Sequence, residues 1–142
     1  MSVTAEQVIK AARRYVGVRY RHQGDSRHGC DCWGLIRATC ITDLGLFPSG
    51  LNVRRDYGYV SDGELEKKVA EHCGNPIASP VLGCLVVIAW PGTTHAGHLA
   101  FFTGENLIHS YSRMGKVVEH GFRAPWPKLV RGFYKLPGVT YG

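Results

Sequence analysis

The chain lacks any long hydrophobic run. None of its apolar stretches approaches the ~20 residues needed to cross a bilayer. The N-terminus has no apolar core of the kind that marks a secretory leader, so fold is expected from the first residues rather than a targeting segment. Internal repeats and low-complexity segments are missing as well. A disulfide framework is not indicated, because the five cysteines are an odd number at irregular spacings. A zinc knuckle is disfavoured too, since Cys30 and Cys32 are separated by one residue rather than two to four. A zinc site from Cys30, Cys32, Cys73 and Cys84 stays open as a lesser alternative to buried thiols. No nucleic-acid module accompanies the formal charge of +6, which points to an anionic partner or simply to solubility.

What is present fits one domain over residues 1–142, long enough for a real core. Thr4 to Gln7 reads as a capping box. Ala5, Val8, Ile9, Ala12, Tyr15 and Val16 then form one helical face. A second helix is expected from Cys32 to Leu44, capped by Asp31 and stopped at Gly45. Its spacing makes Cys40 a core residue. The 47–60 stretch, with Arg54, Arg55, Asp56, Tyr57 and Tyr59, reads as a loop beside a binding groove. Ser61 to Glu64 reads as another capping box, opening a helix that stops at Gly74. Strands follow at 84–89, 98–103, 107–111, 116–120 and 129–136, separated by turn signals, with Pro125-Trp126-Pro127 as the last turn. Helices first and closely spaced strands later give an α+β class with an antiparallel sheet.

The chemistry concentrates at Cys32, His98 and His109. Cys32 falls where a helix begins, and its own N–H is free there to bind an oxyanion. A helix N-terminus is also expected to lower the thiol pKa. His98 opens an alternating strand, and His109 lies on the returning strand after a tight turn at Gly104. One imidazole can take the thiol proton while the other fixes its tautomer. The plain alternatives are a buried structural thiol and two ordinary strand histidines. His95 competes as base, but from a loop that would hold it less rigidly.

These residues resemble the NlpC family of cell-wall cysteine endopeptidases, over about residues 5 to 135. The family's Asp-Cys-Ser-Gly-Leu-Val appears here as Asp31-Cys32-Trp33-Gly34-Leu35-Ile36, and its Gly-x-Pro-Tyr as Gly17-Val18-Arg19-Tyr20. Its base strand corresponds to His98–Gly104, and its third polar residue to His109 after Ile108. The resemblance implies a minimal papain-like fold, N-terminal helices on a C-terminal antiparallel sheet. It implies Cys32 as nucleophile, His98 as base and His109 as orienter, with Tyr20 and Asp31 on the oxyanion or substrate side, and no cofactor or metal. The implied substrate is peptidoglycan, cut between D-γ-glutamate and the next diamino acid of the stem peptide. An amidase or acyltransferase on the same triad, and a non-catalytic structural protein, are the alternatives. Two positions depart from the pattern. Trp33 replaces a small Ser, which is expected to reshape a subsite, and Cys84 replaces the Asp of Gly-Asp-Leu-Val. The Arg21-His22-Gln23 run and the Cys30-Asp31-Cys32 spelling look most like the phage-tail and gene-transfer-particle branch. That branch implies a virion location with tail-hub or baseplate partners, while the sequence itself leads us to expect synthesis in the bacterial cytoplasm without a signal, no nucleic-acid partner and no membrane span.

Overall fold

The structure, a computed structural model, describes residues 2–47, 63–93 and 95–142. The chain opens with a two-residue strand β1 (Val3–Thr4) and helix α1 (Ala5–Arg13). The capping box is formed: the Gln7 N–H donates to Thr4 Oγ1 at 3.1 Å and the Thr4 N–H to Gln7 Oε1 at 2.8 Å. Val8, Ile9 and Ala12 are buried along one face, as their spacing requires. Tyr15 is buried past the end of α1, and its hydroxyl donates to Asp43 at 2.8 Å.

A short hairpin, β2 (Asp25–Ser26) and β3 (Gly29–Cys30), leads into α2 (Cys32–Arg37). The expected second helix exists but changes pitch. From Ala38 to Asp43 it continues as a π-helix and stops before Gly45, whose φ of 66° suits a residue without a Cβ. Helix α3 (Glu64–Cys73) stops at Gly74 as expected, but its N-cap is Gly63 at φ 90°, with no side-chain cap. The proposed Ser61 cap and the 47–60 loop, Phe47 apart, lie outside the described residues.

The remainder builds a five-stranded antiparallel sheet from β4 (Leu85–Ile88), β5 (His98–Phe102), β6 (Asn106–Tyr111), β7 (Lys116–Gly121) and β8 (Val130–Tyr134), in the order β7-β6-β5-β4-β8. One face carries Leu85, Val87, Leu99, Phe101 and Ile108 against Val8, Ile9, Trp33, Leu35 and Ile36 of the helices. The other carries Cys84, Val86, Ile88, Ala100, Phe102 and Leu107, covered by Ile77, Phe122, Leu129 and Phe133. Burial on both faces explains why β4 reads as four consecutive apolar residues instead of alternating. The 125–127 stretch is not only a turn. It leads into a short helix, α4 (Trp126–Leu129), because a proline in a first helical turn forfeits no hydrogen bond. Finally β9 (Val139–Thr140) pairs in parallel with β1, which ties the two ends of the described chain together.

Candidate active site

The site forms where the N-terminus of α2 meets the start of β5. Asp31 holds that helix start from a buried position. Its Oδ1 accepts the Gly34 N–H at 2.7 Å and its Oδ2 the Gln23 N–H at 2.7 Å. The carboxylate therefore caps α2 and clamps the preceding loop to it. Gly34 is required by close approach. A Cβ there would lie 1.6 Å from the Gly24 carbonyl oxygen. Ser110, beside His109 on β6, donates to the Cys30 carbonyl at 2.6 Å and pins the chain two residues before Cys32. Tyr20 is half-buried, and its N–H donates to the Gly115 carbonyl at 2.8 Å while its backbone bridges to Cys30.

Cys32 is the first residue of α2 and, as a residue, is half-buried. The N–H of Leu99 points at its sulfur, which places the thiol one residue along β5 from His98. His98 is buried, and its Nε2 lies 2.6 Å from Nδ1 of His109, itself fully buried. That contact uses Nε2 and leaves Nδ1 as the ring nitrogen of His98 available to a thiol proton. Thus the structure brings Cys32, His98 and His109 together, whereas His95 is exposed in the loop ahead of β5.

Burial reverses the expected thiol electrostatics. Desolvation pushes Cys32 up to about 12, the neighbouring Asp31 charge adds to this, and the N–H groups of Leu99 and Trp33 oppose it. The helix N-terminus acts in the anticipated direction but loses to burial. Burial also lowers His98 to about 3 and His109 to about 2, the latter helped by its two histidine neighbours. Thiol and imidazoles are therefore all held neutral at rest.

Sequence reasoning missed three contributors. His120 on β7 places its Nε2 2.7 Å from Nε2 of His109, and its Nδ1 3.0 Å from the Gly121 carbonyl. His98, His109 and His120 recur eleven residues apart on consecutive strands, and that period was the available signal. Trp90 lies against His98 at 4.7 Å, and Trp126 against His109 and His120 at 5.0 Å each. These rings shield the imidazoles on the sheet face away from α1. Trp33, expected to shape a subsite, is instead 2 % exposed inside the helix-facing core. Cys30, Cys40 and Cys84 are buried, and burial raises each thiol pKa. Among the described residues, no group of three or more His, Cys, Asp or Glu side chains is arranged to hold a metal ion, so the four-cysteine zinc alternative has no site there. No described helix is long and apolar enough to cross a membrane.

At the sequence level no family model and no curated protein matches the chain. Solved structures do match. The NlpC/p60 domain of the peptidoglycan hydrolase SagA superposes with a TM-score of 0.67 at 16% identity, covering 94% of this chain and 100% of that one. NlpC2 from Trichomonas vaginalis gives 0.70 at 17% identity, covering 92% of this chain and 46% of that one. The peptidoglycan hydrolase RipB from Mycobacterium tuberculosis gives 0.59 at 20% identity, covering 93% and 64%. The expected α+β architecture is therefore the one found: this chain has the fold of the NlpC/p60 domains.

Proposed function

We propose that this domain is a cysteine endopeptidase that hydrolyses an amide bond in bacterial peptidoglycan. The observation that carries the reading is the buried His98–His109 contact at 2.6 Å beside a thiol on a helix N-terminus. That geometry suits acyl transfer. His98 Nδ1 takes the thiol proton as the Cys32 sulfur attacks the carbonyl carbon. The Cys32 N–H, with the Tyr20 hydroxyl, stabilises the oxyanion. The proton then passes from His98 to the leaving amine, and water attacks the acyl-enzyme with His98 as base. Because thiol and imidazole are both neutral at rest, charge separates only as the bond forms. Asp31 serves this site by holding the helix start.

The substrate class rests on the fold shared with peptidoglycan hydrolase domains, and the bond, D-γ-glutamyl to diamino acid, on the motif resemblance. A polar cleft lined by Arg21, His22, Gln23 and Asp25 borders the capped loop, and its basic side suits a stem-peptide carboxylate. Mass spectrometry of products from purified peptidoglycan tests the assignment. A new amine on the diamino acid supports it, and release of intact stem peptides from the glycan would indicate an amidase. The Cys30-Asp31-Cys32 and Arg21-His22-Gln23 spellings support a place in a phage or phage-like tail, opening the wall locally during DNA delivery. Protein identification on purified particles tests that role, and absence from particles would refute it.

A further inference from the structure

The three histidines form a single file rather than a cluster. His98 meets His109 at 2.6 Å, His109 meets His120 at 2.7 Å, and His120 ends on the Gly121 carbonyl at 3.0 Å. Each ring-to-ring contact needs one N–H and one lone pair, and a neutral imidazole supplies one of each. The order of donors along the file can therefore run in only two directions.

The terminal carbonyl distinguishes them. A carbonyl oxygen only accepts, so the favoured state puts the proton of His120 on Nδ1. Its Nε2 is then a lone pair, which requires His109 to donate from Nε2. His109 Nδ1 becomes an acceptor, which requires His98 to donate from Nε2. His98 is left with its lone pair on Nδ1, the nitrogen that must take the thiol proton. The reverse order sets a ring lone pair against the Gly121 oxygen and puts a proton on His98 Nδ1, where it could not act as base. Leaving such polar groups unsatisfied costs ~1–3 kcal/mol, enough to populate one order. Burial disfavours the escape route of protonating His109 on both nitrogens.

We infer that His120 is a positioning residue that, through His109, locks His98 in the Nε2–H tautomer, with the Gly121 carbonyl as the fixed end of the file. The inference rests on the reading of His98 as the base of Cys32. It extends the constellation by one residue beyond the base and its orienter. Strand geometry makes this extension available. His109 pairs with Val118 across β6 and β7, so His120 sits diagonally beside it on the same face, within side-chain reach.

Two measurements test it. Long-range proton–nitrogen NMR of the imidazoles in the wild-type protein reads the tautomers directly, whether or not a substrate is turned over. His98 and His109 are expected as Nε2–H and His120 as Nδ1–H. A His98 proton on Nδ1 would overturn the inference. Kinetics on a stem-peptide substrate then compare two variants. His120→Phe keeps a ring against Trp126 but offers no acceptor, and it should lower kcat on the order of tenfold to a hundredfold with KM little changed. This is less than the roughly 10⁴-fold cost of imposing the wrong tautomer on a base directly. His120→Gln keeps an acceptor and should recover most of the loss. Equal rates in both variants, or equal losses, would overturn the role. If the wild type cleaves nothing, the peptidase reading fails while the NMR result still decides the tautomer.

Discussion

At the residue scale, burial overrides the helix dipole at Cys32. The Cys32 thiol is pushed up to about 12 although it begins α2, because the desolvation cost exceeds what two backbone N–H groups return. The free protein should therefore show no thiolate plateau near neutrality. Iodoacetamide labelling of Cys32 is expected to accelerate with every pH unit from 7 to 10. A plateau below pH 8 would reveal a preformed thiolate–imidazolium pair and contradict the neutral resting state. The base is the second residue-scale claim. His98→Ala should cost at least about a hundredfold in rate, while His95→Ala should cost far less, because His95 is exposed in a loop. Steady-state rates on one substrate check this, and the reverse ranking would move the base into the loop.

At the scale of elements, the strands were legible because short apolar-rich runs lie between turn residues, and β5, β6 and β7 fall within a residue of the expected bounds. The capping box of α1 and the Asp31 cap were equally readable from local chemistry. What stayed hidden is non-local or a contest of two effects. The two-residue strands β1 and β9 pair across the whole chain and carry no periodic signal. The π-helical continuation, with Ala38, Thr39 and Cys40 buried, keeps the helical spacing of the sequence and so leaves no local mark of its changed pitch. The contact of His120 with His109 depends on the register of β6 against β7, which no local pattern carries. Gly34 shows how tightly the helix start is seated. Its Cα approaches the Gly24–Asp25 backbone so closely that any Cβ collides with a carbonyl. Gly34→Ala should therefore destabilise the fold by ~3 kcal/mol or more, at or above the usual overpacking cost. Thermal denaturation reads this as a large fall in Tm, and an unchanged Tm would mean that the loop yields freely.

At the scale of the whole molecule, the buried histidines link stability to pH. His98 and His109 are neutral in the folded state down to about 3 and about 2, whereas an unfolded imidazole protonates near 6.5. Below 6.5 the unfolded chain binds more protons than the folded one, so stability falls as pH falls, by up to ~1.4 kcal/mol per unit for each such group. Glu119, whose carboxyl is lowered by Arg13 and Asn106, acts in the same direction only below its ordinary value of 4.5. Tm should hence drop already between pH 6.5 and 5, before carboxylates protonate, and His109→Gln should flatten that slope. A flat wild-type profile over that range would contradict the buried neutral file. The proposed function is that a thiol on a helix N-terminus, served by His98, cuts a stem-peptide bond in peptidoglycan. The most direct measurement is digestion of purified peptidoglycan by the wild type and by Cys32→Ala, with soluble products identified by mass spectrometry. The account expects stem-peptide fragments with a newly exposed diamino-acid amine from the wild type and none from Cys32→Ala. Equal release by both proteins would contradict it, and so would no release by the wild type.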